Sequence, residues 1–221
     1  MNIKYYTELA LSVPKTLYWN CKWYGMKGFL CPVLIHYNTY IVNKGQIIPP
    51  PFVRQHFSSR IGFCGSFGIS TSKRQVISVS KGCTLHFKGR FSIGYGGVVR
   101  IENSGCVCLG TNFNANKNFS IFCNKSISFG NDVLIGWNVS VRDNDGHNIY
   151  RGLVPKCNIK EVLINNHVWI AAEVHILKGA VICDGSVVGY RATVFDQFSE
   201  SNVLIGGYPA KVIQRNIKWE Q

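Results

Sequence analysis

One stretch of this chain gathers residue types that move protons: Arg142-Asp143-Asn144-Asp145-Gly146-His147-Asn148-Ile149-Tyr150, the start of a polar segment at 142–161. An imidazole, with an ordinary pKa of about 6.5, is largely neutral at physiological pH and can accept a proton. That is what a general base needs when the nucleophile is a poor one, such as a sugar hydroxyl. A carboxylate close by, Asp145 or Asp143, can orient the ring of His147 and favour one tautomer. Asp-Asn-Asp-Gly is also a strong turn sequence, so the two acids have a purely local reading as well.

Other reactive residues fall into no pattern. The nine cysteines are scattered without a CxxC pair, and Cys106 and Cys108 have the wrong spacing for a zinc knuckle. His167 and His175 stand eight apart and His147 stands alone, so no metal site is expected. Gly62-x-x-Gly65-x-x-Gly68 lacks the spacing and helical context of a dinucleotide loop.

The elements that must carry the loop are marked by periodicity. Ile164, Ile170, Ile176, Ile182, Val188 and Val194 recur every six residues. Four places after each of the first five comes a small or β-branched residue: Val168, Val174, Ala180, Ser186 and Ala192. Ile, Leu and Val make up about a quarter of the chain, so six in frame would arise by chance about once in 4,000 starting points. Phe129-Gly130, Ile135-Gly136 and Val141 continue one frame upstream; Ile93-Gly94 and Leu109-Gly110 belong to slipped ones. Period six is neither helical nor a long alternation. It suits short strands joined by tight corners, three hexads to a triangular coil, with coils stacking to bury a face that none could bury alone.

The expected architecture is therefore all-β. Residues 1–60 form a basic, aromatic cap or docking segment, 61–205 a hexapeptide-repeat prism interrupted at 142–161, and 206–221 a tail in which Pro209 starts a short helix. Hydrophobic content of 46% and charged content of 16% exclude a disordered or coiled-coil chain. The net charge of +13 is uneven: residues 1–90 hold twelve Lys and Arg against Glu8 alone, whereas 91–221 hold twelve against ten acids. A basic segment suits any anionic partner. Nucleic acid lacks a recognition motif here, and contact of 1–60 with a membrane surface is expected from composition. No run is long enough to span a membrane, Pro14 and Lys15 cut short any signal-peptide core, and the thiols read as reduced, which suits a cytoplasmic protein.

The stretch Ile164 to Lys211, with NNHVWIAAEVHILKGAVICDGSVVGYRATV and GGYPAKVI, resembles the hexapeptide-repeat acyltransferases. The pattern is that of the maltose and galactoside O-acetyltransferases and the O-acetyltransferases of surface polysaccharides, over roughly 91–217. The resemblance implies a left-handed parallel β-helix, a homotrimer, and acetyl-CoA bound between neighbouring prisms. It implies that His147 takes the acceptor's proton and that Asn116 contacts the acceptor sugar. Asn124 stands where relatives carry an acid; a corner Asn with left-handed backbone is the local reading of both asparagines. Trp169 and Ala172 match the segment along the CoA arm, with a backbone N–H near Ala172 serving the thioester oxygen or the pantetheine. Tyr190, a further cofactor position, stands where relatives have a small residue whose main chain meets the pantetheine. Lys211 and Arg215, and less so Lys178, match cations for the CoA phosphates, while Val194-Phe195-Asp196-Gln197 lacks the lysine of the relatives' VTKD. The implied activity is acetyl transfer to a saccharide hydroxyl in surface polysaccharide or glycolipid assembly. The alternatives are N-acetylation of an amino sugar or antibiotic, and a non-catalytic scaffold.

Overall fold

A computed structural model describes residues 3–63 and 74–220; Gly65 and Gly68 of the glycine motif lie outside them. The chain winds into a left-handed parallel β-helix with three faces. The first face runs from Val33–Ile35 through nine strands to Ala210–Gln214. The second runs from Tyr40–Asn43 to Thr193–Val194, and the third from Gln46–Ile48 to Gln197–Phe198.

The hexad aliphatics do what their spacing demands. Ile164, Ile170, Ile176, Ile182, Val188 and Val194 point inward and are fully buried, as are Val168, Val174, Ala180, Ser186 and Ala192. On the first face Ile35, Ile61, Ile93, Ala115, Ile135, Ile170, Val188 and Ile205 stack in register as one apolar column. Coil length explains the slipped frames: 18 residues separate Ile170 from Val188, but 20 separate Ala115 from Ile135 and 22 separate Ile93 from Ala115.

Both ends differ from expectation. The prism starts within residues 1–60, at Val33, because strands Val33–Ile35, Tyr40–Asn43, Gln46–Ile48 and Ser59–Ile61 already stack beneath the later coils. Ahead of it lies α1 (Ile3–Tyr24), whose buried face sets four polar side chains, Glu8, Ser12, Thr16 and Asn20, beside Trp19, which joins the apolar core. Asn20 Oδ1 accepts from Val33 N–H (3.0 Å) and its Nδ2 donates to Val33 O (2.7 Å). Thr16 Oγ1 serves Ile35 in the same two ways, and Ser12 Oγ accepts from Tyr37 N–H at 2.9 Å. Side chains four apart thus satisfy backbone groups that an open parallel edge would leave unpaired.

At the other end, the described residues of the tail, 206–220, form no helix. Ala210–Gln214 pairs antiparallel with Leu204–Gly207, Tyr208 and Pro209 making the turn. Pro209 suits a helix start, but covering the last edge of the first face satisfies more backbone, and Ala210 is buried in doing so.

His36, buried where the first coil meets α1 with Glu8 3.7 Å from its ring, is held below the usual imidazole range by desolvation, against the opposing pull of that carboxylate. The unfolded chain therefore binds this proton more readily, so stability is full above pH about 6.5 and declines as pH falls from there. Thermal melts at pH 7.5 and 5.5 should show a loss in acid that is smaller in His36→Gln; an equal loss would rule the group out.

Candidate active site

The loop carrying His147 leaves the prism after strand Ser140–Arg142 and is clamped at its root by Asp143. This carboxylate is fully buried and accepts from Asn124 N–H (2.8 Å), Lys125 N–H (2.7 Å), Ser126 N–H (2.9 Å) and Asn144 Nδ2 (3.0 Å). The Cys123 thiol also donates to it at 3.4 Å; burial and the adjacent charge push that thiol's pKa up. Asp143 is a structural clamp.

Beyond it the loop runs as two strands. Asn144 bridges Ile159, Asp145 N–H donates to Asn158 O (3.0 Å), and Ile149–Arg151 pairs antiparallel with Val154–Lys156. The tip is exposed and partly apolar, with Leu153 98% accessible. His147 is exposed. Asp145 pairs with Lys178, which also donates to Cys157 O at 2.7 Å. The expected partnership of Asp145 with the imidazole is thus replaced by an ion pair that ties both strands of the loop to the prism. Lys178 is spent on that pair, which leaves it out of the cations free for phosphates. Beneath the loop opens a cleft of about 370 Å³ lined by Asp145, Lys156, Cys157, Lys160, Lys178 and Phe195.

Three other candidates line up on one edge, where the first face turns into the second. The corners Asn116–Asn118, Gly136–Asn138, Ala171–Glu173 and Gly189–Arg191 stack directly. Asn138 N–H donates to Lys117 O, Glu173 N–H to Trp137 O, and Arg191 N–H to Ala172 O. Asn116 Nδ2 reaches Ile135 O at 3.2 Å. The left-handed residues of these corners are Asn118, Asn138, Glu173 and Arg191, not Asn116 or Asn124. No side chain fits at Gly136, since a Cβ there would lie 2.6 Å from Ala172 N. Tyr190 ends the column, 59% exposed, with the Arg191 guanidinium 5.0 Å from its ring.

Two features of this edge escaped the sequence reading. Trp137 is 49% exposed between Asn116 and Ala172, with Lys117 Nζ 5.2 Å from its ring. Asn118 Oδ1 is buried without a partner, an acceptor facing no donor. The signal for Trp137 was available: an indole at a corner position, directly after an inward aliphatic and Gly.

The tail cations divide. Arg215 is locked to Glu200 by two bonds, 2.6 and 3.1 Å, which hold that carboxyl below the usual range. It is therefore engaged and not poised for a phosphate. Lys211 is exposed on the terminal strand. Trp169 is half-exposed, 6.2 Å from Trp219, which stacks on His167 (4.2 Å between centroids) and donates to His167 O at 3.1 Å. Among the described residues no three His, Cys, Asp or Glu side chains cluster to hold a metal ion, and no helix is long and apolar enough to cross a membrane.

No family model matches the chain. It is similar to the galactoside O-acetyltransferase of Escherichia coli (strain K12), 33% identical over 108 residues that cover 48% of this chain and 52% of that protein. It is similar to the polysialic acid O-acetyltransferase of Neisseria meningitidis, 34% identical over 147 residues that cover 65% of this chain and 58% of that one. The chain thus spans little more than half the length of these relatives. The crystal structure of the polySia-specific acetyltransferase NeuO superposes with a TM-score of 0.53 at 22% identity, over 86% of this chain and 84% of that one, which shows the shared fold.

Proposed function

We propose that this chain, a member of the hexapeptide-repeat acyltransferases, moves an acetyl group from acetyl-CoA to a saccharide hydroxyl in the assembly of a surface polysaccharide or glycolipid. The observation that carries the reading is His147: an exposed imidazole on a loop whose root is fixed by a buried carboxylate and whose strands are tied down by Asp145 and Lys178. Acetyl-CoA, when bound, supplies the activated acyl group. His147 takes the proton of the attacking hydroxyl and returns it to the departing sulfur. A backbone N–H of the Ala171–Glu173 corner serves the acyl oxygen, and Asn116 holds the sugar. Binding both reactants side by side supplies proximity and orientation. Asp145 acts on His147 through the loop's position.

The groups present fit CoA. Trp137, Trp169 and Tyr190 offer exposed aromatic surface on the first face and its edge. Lys156 and Lys160, lining the cleft beneath the loop, supply the cation missing at Asp196, with Lys211 a third. In Lys156→Ala with Lys160→Ala, the KM for acetyl-CoA should rise about tenfold with kcat nearly unchanged, because phosphate contacts bind substrate and transition state alike. An unchanged KM would remove these lysines from the site.

His147 leaves the corner between the second and third faces, whereas Asn116, Ala172 and Tyr190 line the corner between the first and second. A homotrimer, with one protomer's loop laid against its neighbour's edge, would bring the two together, and the apolar tip at Leu153 suits such a contact. The outer face of α1 exposes Tyr6, Leu11, Val13 and Tyr18, beside Lys22 and Lys27. That surface suits an anionic membrane. The protein should co-float with vesicles containing phosphatidylglycerol, and Leu11→Ser with Tyr18→Ser should release it; equal flotation would reject the contact.

A further inference from the structure

Below the candidate edge, the first face carries a second concavity. A groove of about 420 Å³ is lined by Gln55, Ser58, Arg60, Arg90, Asn112 and Asn114. Arg60, Ser92 and Asn114 stack in register on three successive coils, and Asn116 follows Asn114 by two residues, just past the end of the same strand, so that strand leads from the groove across the face to the corner assigned to the acceptor. Among the described residues neither guanidinium is matched with a carboxylate or an aromatic ring. The sequence explains why: between Glu8 and Glu102 the chain has no acidic residue, and Glu8 is buried beside His36. A carboxylate does touch the lining, at Asp132, which accepts from Asn112 Nδ2 at 2.8 Å and is thereby engaged.

We propose that this groove binds an anionic group, a carboxylate or a phosphate, borne by the saccharide acceptor. Guanidinium forks match either group in a bidentate manner, and the surrounding amides and hydroxyls suit the neighbouring sugar hydroxyls. The inference rests on the saccharide reading and narrows it to acidic glycans. It assigns part of the N-terminal positive charge to the substrate.

The test is titration calorimetry on the full-length protein without acetyl-CoA, using tetragalacturonate, maltotetraose 1-phosphate and maltotetraose. One anionic probe should bind at least about tenfold more tightly than the neutral one, more weakly as salt rises; which one separates carboxylate from phosphate. Arg60→Ala with Arg90→Ala should lose about tenfold or more, and the Arg60→Lys, Arg90→Lys pair should lose less. Equal binding of all three probes, binding of neither anionic one, or an affinity unchanged in the alanine pair would overturn the proposal. Because nothing turns over in this assay, a protein that binds the acidic probe through these arginines yet transfers no acetyl group would refute the enzymatic reading and leave the groove standing.

Discussion

His147→Ala is expected to lower kcat for acetyl transfer by about 10²–10⁴-fold, equivalent to about 3–5 kcal/mol of transition-state stabilisation, the range typical of a positioned general base. The fold should not respond. The side chain is exposed and lies outside the apolar column, so circular dichroism, melting temperature and acetyl-CoA affinity should match those of the parent protein. Steady-state kinetics with the melting curve as control checks both halves. Turnover within threefold of the parent would remove His147 from the chemistry. Loss of activity together with loss of folding would point to a structural role.

Asp143→Ala should produce the largest loss of stability. The carboxylate satisfies three consecutive backbone N–H groups, Asn124 to Ser126, while holding the root of the loop, and it has no solvent access. Each buried donor left unpaired costs about 1–3 kcal/mol, so for three of them at least about 3 kcal/mol and a fall of about 10 °C in Tm are expected. Asp143→Asn keeps the shape but turns an NH₂ toward N–H donors, and should recover only part of the loss. Hydrogen exchange should show the opening concentrated at 122–126 and 143–160. A melting temperature within 2 °C of the parent would show that water replaces the carboxylate at no penalty.

How much of this was legible in the sequence follows from which interactions are local. The upper coils were legible because each hexad aliphatic is buried where its period puts it, from Ile164 to Val194. The middle coils were legible only as slipped frames, because their longer corners break the period, and the first, from Val33, was not legible at all. α1 was missed for a different reason: beside Trp19 its inward face carries Glu8, Ser12, Thr16 and Asn20, the last three bonding backbone from Val33 to Tyr37, so an apolar stripe of helical period is largely absent. The C-terminal helix was expected from Pro209 alone, whereas the need to cover a sheet edge is invisible until the sheet exists. At the site, His147 stood out as an imidazole in a polar interruption. Its surroundings did not, since Lys178 lies 33 residues from Asp145 and the two meet only through stacking. Stacking likewise aligns Asn116, Trp137, Ala172 and Tyr190, residues spread over four coils.

The most direct test of the central claim is product analysis. The purified protein would be incubated with isotopically labelled acetyl-CoA and a panel of neutral and acidic oligosaccharides, then thiol release and the mass of each glycan followed. The account predicts an alkali-labile acetyl ester on a saccharide, formed with one equivalent of CoA and absent with His147→Ala. Acetyl-CoA left intact with every saccharide, or a label that resists alkali as an amide would, would contradict it.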